Sequence, residues 1–225
     1  MPVAVSTILT QAGDILQDAG NVRWTSAELV RYLNAGRREI AQLRPDIYAT
    51  HQHVTLVAGA KQTIPASGHK FIDAISNIDA ATNTNKNAVR LIEREVLDAQ
   101  APGWHTETAT SNIEHFMFDE RYPKIYYVYP PAIAGSKLEI IYSQIPSDVA
   151  AGDNLTDEEL YSSALVDYLC YRAFSKDAEV ALNLQRAQAH YLAFANSLGV
   201  DVKNVMKFSP NLANQGGNVP RTAAV

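Results

Sequence analysis

Cysteine is nearly absent from this chain: Cys170 is the one thiol in 225 residues. That excludes an internal disulfide framework. A lone cysteine inside an apolar stretch reads instead as a small buried side chain suited to a reducing cytoplasm. Long apolar runs are missing too, and no stretch approaches the ~20 residues that a membrane span needs. Met1-Pro2-Val3-Ala4-Val5 has neither a basic n-region nor an h-region, so no signal peptide is expected. A basic surplus is also lacking. The 19 Lys and Arg stand against 24 Asp and Glu, a formal net charge of −5, which argues against general nucleic-acid binding but not against a protein that DNA merely passes. What is present is globular composition, 47% hydrophobic and 19% charged, in a chain long enough for one good core or two small ones.

Periodicity divides the chain. Ile8, Ala12, Ile15, Leu16 and Ala19 recur at helical spacing, predicting a helix over 3–19 that stops at Gly20-Asn21. The next helix has a capping box. Thr25 accepts from the N–H of Glu28, Glu28 reaches back to the N–H of Thr25, and Trp24 with Leu29 forms a hydrophobic staple. Leu29, Leu33, Gly36, Ile40 and Leu43 supply its apolar face, and Arg44-Pro45 ends it. The short connection predicts an antiparallel helical hairpin. From His51 to Ile145 the pattern is that of strands. A hairpin is expected around Ala58 to Lys61, another strand over Phe71 to Ile78, and a loop over Ala80 to Asn87. A strand leading into a short helix follows over Val89 to Ala99, then a meander over His115 to Tyr142. Leu155-Thr156-Asp157-Glu158-Glu159-Leu160 repeats the first device, with Thr156 as cap, Glu159 as its reciprocal partner, and Leu155 and Leu160 as staple. Helical spacing continues to Gly199, with a restart at Asp177. From Val200 to Val225 the chain cannot bury much on itself and, taken alone, is expected to be disordered.

The fold class expected is therefore α+β. A helical bundle, the N-terminal hairpin plus the C-terminal helices, is assigned to residues 1–50 and 153–199. An inserted antiparallel β region is assigned to 51–152 and an extended C-terminal arm to 200–225.

The search for chemistry finds little. His51 and His53 share one face of a strand, yet no third ligand stands near them, so a strand edge or an interface is the plainer reading. Glu93, Glu95 and Asp98 fit the solvated face of a short helix, and Asp157 to Glu159 fit a helix first turn. There is no G-x-S-x-G elbow, phosphate loop or dinucleotide fingerprint. Arg37-Arg38 is offset by Glu39, and Tyr126, Tyr127 and Tyr129 fit a core or interface better than base stacking. No catalytic residue, metal or cofactor is assigned.

One resemblance extends over most of residues 22–199. Trp24-Thr25-x-x-Glu28-Leu29-x-x-Tyr32-Leu33-Asn34-x-x-Arg37-x-x-Ile40-x-x-x-Arg44-Pro45-Asp46 resembles the opening of the head-to-tail adaptor (connector) proteins of tailed bacteriophages, in particular the tail tubular protein A group of short-tailed phages. Tyr127-x-Tyr129-Pro130-Pro131, Leu138-Glu139-Ile140-x-Tyr142-Ser143-x-x-Pro146, Asp153, Leu160, Ala164-Leu165-x-x-Tyr168, Arg172-Ala173 and Lys176-Asp177 follow in the same order. The weight lies in order and spacing. The resemblance implies a non-catalytic virion protein made in the host cytoplasm and placed at the head–tail junction. It implies a homo-oligomer ring of about twelve copies held by heterologous contacts, with the portal protein above, the tail nozzle protein below and DNA passing through the lumen without specific binding. No membrane is involved. An arm carrying Val205, Met206, Phe208, Pro210 and Leu212 is expected to anchor in a portal groove. The alternatives are a head- or tail-completion protein with a different partner, a small enzyme with a scattered site, and a nucleic-acid-binding module.

Overall fold

Residues 2–156, 159–177 and 181–208 are described by a computed structural model, in which the chain divides into two units: residues 1–37 with 148–225, and residues 38–147. The division falls inside one helix, between Arg37 and Arg38.

In the first unit, β1 (Val3–Ala4) pairs antiparallel with a short strand at Asn154–Leu155, and the N–H of Val5 donates to the carbonyl of Asp153. Helix α1 (Val5–Ile15) follows without a side-chain cap and buries Val5, Ile8, Leu9 and Ala12. Gln17 and Asn21 adopt positive φ in the connection that follows. The Asp18 carboxylate organises that connection by accepting from the backbone N–H groups of Val22, Arg23 and Trp24, each at 2.9 Å. These bonds hold its carboxyl below the usual carboxylate range, the Trp24 N–H contributing most. Helix α2 (Ser26–Leu43) then begins. Gly36 lies where α2 meets the Tyr168 ring, and a Cβ there would come within 2.7 Å of it. Tyr168 belongs to a helix at Ser162–Lys176, which packs on α1 and on the last helix, Ala181–Phe208. Tyr168 meets Phe194 and Tyr171 meets Tyr191 across that helical pair, at 5.1 and 4.9 Å between ring centroids.

The second unit is a sandwich of two four-stranded sheets. β2 (Ala49–Thr55), β9 (Lys137–Gln144), β4 (Gly68–Ile78) and β5 (Asn85–Ala88) form one sheet in that order, every pairing antiparallel. β3 (Gly59–Thr63), β8 (Ile125–Ala132), β7 (His115–Phe118) and β6 (Arg90–Leu91) form the other, with β6 parallel to β7. The period of two is plain in β9, where Leu138, Ile140 and Tyr142 are buried between the sheets. They meet Phe71 and Ala74 of β4 and Phe116, Tyr126 and Val128 of the opposite sheet. β8 is covered on both faces. Its Tyr127 and Tyr129 point away from this core into a second cluster, where α3 (Arg94–Gln100) and the 3-10 turn Trp104–Thr106 bury Leu97, Trp104 and Met117. The chain changes sheet at Val89, whose N–H donates to Ile75 of the first sheet while that of Arg90 donates to Glu114 beside the second. Asn77 satisfies the backbone at this crossing. Its amide accepts from Ile113 N–H and donates to Ile113 O, both at 2.7 Å, at a buried position.

These observations correct the expected fold class. The chain is a sheet-rich α+β protein and not a helical bundle carrying a β insertion and an extended tail. Strands separated by most of the second unit pair with one another and enclose a core of their own, so the sheets are a principal body. Local patterning does not show that partnering. β2 and β3 lie in opposite sheets instead of forming a hairpin, β9 pairs with β2 and β4 instead of closing a meander on β8, and part of the expected polar loop is β5. α1 packs on the Ser162–Lys176 helix rather than along α2. The last helix runs through Gly199 to Phe208, where an extended arm was expected. A glycine inside a helix costs only about 1 kcal/mol, which neighbouring turns can offset.

Candidate interaction surfaces

The residues singled out for helix starts serve two local structures. At α2, Thr25 Oγ1 accepts from the N–H of Glu28 at 3.3 Å, and Trp24 and Leu29 are both buried. The Glu28 carboxylate turns elsewhere. It accepts from the Tyr32 hydroxyl at 2.7 Å and from the Lys176 ammonium at 2.8 Å. Those two bonds, Lys176 first, hold its carboxyl below the usual range. Beside it Arg23 pairs with Asp177 and lies over the Trp24 ring at 4.9 Å. Glu28 at the start of α2 and Lys176 at the end of α4 (Ser162–Lys176) each carry the charge that suits the helix end they occupy.

The second device is built differently. Leu155 lies buried in β10 (Asn154–Leu155), Thr156 is exposed, and Leu160 sits 86% exposed in a 3-10 turn before α4 starts at Ser162. Asp157, Glu158 and the Glu159 side chain lie outside the described residues. Of the arm, Val205, Met206 and Phe208 fall in the last turns of α5 (Ala181–Phe208), their side chains outside the described residues. Pro210 and Leu212 lie wholly outside them.

The candidate chemical groups are engaged in structure. His51 and His53 sit on β2, and His51 Nδ1 stands 4.0 Å from Glu139, whose carboxylate also accepts from Ser76 and Asn85. Asp98 accepts from the Trp104 indole at 2.8 Å and from Arg94 at 3.2 Å, tying α3 to the turn after it. Tyr126 is buried and stacks on Phe71 at 4.5 Å, and burial pushes its hydroxyl far above the ordinary tyrosine range. Tyr127 packs edge-on to Trp104. Cys170 is fully buried, and desolvation, with Asp167 second, pushes its thiol up to about 12. A cleft of about 840 Å³ opens beside α3, with Met117, Tyr127 and Ile92 among its lining and Glu93, Glu95, Asp119 and Glu120 among its acids. Asp98 and Asp119 in it are already bound to Trp104 with Arg94 and to Arg121. Among the described residues no group of three or more His, Cys, Asp or Glu could hold a metal ion, and no helix is long and apolar enough to cross a membrane.

A model of the SU10 adaptor protein family matches residues 3–214. The chain belongs to that family. No curated protein matches it. SU10 adaptor proteins are structural parts of a bacteriophage particle that join other head and tail proteins, and they are not enzymes. The surfaces of interest on this SU10 adaptor are therefore those that receive protein. In the first unit, α5 exposes Leu184, Tyr191 and Leu192 beside the buried Ala187, Phe194 and Leu198. In the second, the sheets present edges. Sequence reading singled out the His51-x-His53 pair for its imidazoles. The structure adds that β2 is the outer strand of its sheet. Ala49–Thr55 carries no Lys, Pro, Asp or Glu and its burial does not alternate, so the run itself does not mark the edge.

Proposed function

We propose that this adaptor closes into a ring of about twelve copies through heterologous contacts. The ring sits at the head–tail junction with the portal protein on one side and the tail nozzle protein on the other, and DNA passes through its lumen without specific binding. The family match over residues 3–214 carries this reading. The net charge of −5 is in keeping with a wall that does not grip a passing duplex. The arm with Val205, Met206, Phe208, Pro210 and Leu212 anchors in a portal groove, and α5, which runs to Phe208, presents its first part as a helix. Light scattering on the protein alone and mixed with purified portal rings tests this. A large complex that forms with portal, and is lost on deletion of residues 201–225, is the expected result. A protein that ignores portal rings overturns the docking reading.

A further inference from the structure

The two sheets of the sandwich treat their edges differently. In the sheet β3-β8-β7-β6 both edges carry devices that discourage pairing. β3 has Gly59 at φ 103°, a register shift between Gly59 and Lys61, and Lys61 itself, and β6 is two residues long. In the sheet β2-β9-β4-β5 the edge strand β2 has none of them. Its seven residues pair with β9 without a register shift, and Ala-Thr-His-Gln-His-Val-Thr contains no Lys, Pro, Asp or Glu. The bonds that flank β2, Gln144 N–H to Tyr48 O and Leu56 N–H to Ser136 O, set its even-numbered residues toward β9. The backbone groups of His51, His53 and Thr55 therefore turn to the open side. At the far edge β5 is exposed at all four residues. Val89 N–H donates to Ile75 O, so Ala88 beside it turns outward, while the β4–β5 pairing shifts register between Ser76 and Ile78. Lys86, the one charged residue of β5, is held by Asp79 at 2.7 Å.

We propose that β2 of one copy pairs antiparallel with β5 of the next, so that this sheet continues from copy to copy. Joined head to tail, β2 and β5 are the edge pair whose directions give an antiparallel ladder. Three antiparallel steps separate β2 from β5, so the two run opposite ways, and head-to-tail joining makes another antiparallel ladder. In the other sheet the same operation would set β6 parallel to β3 over two residues. β2 and β5 are different surfaces, so the contact is heterologous and can close a ring. The proposal rests on the ring reading and names one contact within it. Four residues of β5 give few backbone bonds. The contact is weak between two free copies and gains from closure, while it fixes the register of neighbours.

Cysteine pairs test it in the full-length protein, assembled with portal rings and oxidised. Cys170 is buried, so the parent protein should give no cross-linked bands. The double variants His53→Cys/Ala88→Cys and His51→Cys/Ala88→Cys sample two registers, and at least one should give a ladder of dimers, trimers and higher bands on a non-reducing gel. The single variants should give none. His53→Pro removes an outward N–H and spares the β2–β9 bonds. It should weaken assembly by about tenfold or more with thermal unfolding of the free protein close to that of the parent. Rings that form while neither pair cross-links overturn the edge pairing and leave the ring reading standing. Dimers from a single variant overturn it in favour of a two-fold β2–β2 contact. A parent protein that stays monomeric at every concentration, with or without portal, overturns both readings. Should His53→Pro fail to fold, the cysteine ladder still decides.

Discussion

In residues 1–37 and 148–208 polar bonds tie helix ends, Asp18 under three N–H groups before α2 and Glu28 against Lys176 at the end of α4, and helix middles, Asn34 exchanging two 3.0 Å bonds with the backbone of Val149 and His190 meeting Asp167 at 2.8 Å. In residues 38–147 the weight lies between two sheets, on Phe71, Phe116, Tyr126 and Tyr142, with Asn77 bonding the backbone of Ile113 beside the β5-to-β6 crossing. The helical unit thus combines polar bonds on its helices with a buried apolar core, and the sandwich depends chiefly on what its strands bury. Ion pairs at helix ends remain in reach of water and contribute modestly. Aromatic rings packed between sheets lose their full burial when truncated. Each unit holds one of the two tryptophans, Trp24 and Trp104, both buried, so variants retaining a single tryptophan report the two separately.

The largest effect should come from Phe71→Ala, which empties the centre of the sandwich. A loss of about 3–5 kcal/mol is expected, read in a denaturant titration followed by Trp104 fluorescence in a Trp24→Phe background. An equal loss from the Trp24 signal would erase the distinction between the units. Gly36→Ala comes next. Its Cβ would stand 2.7 Å from the Tyr168 ring, so a loss of about 1–3 kcal/mol is expected on the Trp24 signal, although alanine is the better helix former. A stabilised variant would show that α2 and α4 have room to separate. The smallest effect is that of pH. Lys176 and Tyr32 depress the Glu28 carboxyl, so the unfolded chain binds the proton more readily. Stability from this clamp is complete above the unfolded carboxylate value of about 4.3. It is lost as pH falls through the lower folded value. Glu28→Gln should flatten that acid limb on the Trp24 signal and leave the neutral-pH signal of Trp104 unchanged.

The readable parts of this protein were local. The Trp24-Thr25-x-x-Glu28-Leu29 run announced a helix, and α2 begins at Ser26 and ends before Arg44-Pro45. The alternation in β9 announced a strand, and the apolar setting of Cys170 agrees with its burial. Other features needed partners far away in the chain. Nothing near Glu28 indicates that its carboxylate serves Lys176, nothing near Leu160 that it stays exposed, and nothing near Asn77 that it bonds the backbone of Ile113. By itself the sequence determined where helices and strands can form, because capping, proline placement and side-chain period act over a few residues. Only the tertiary structure decided that eight of those strands make two facing sheets, and that β2 and β5 are left at the edges. Strand pairing is a choice among alternatives of similar local energy, and it is settled by which arrangement buries the aromatic faces together.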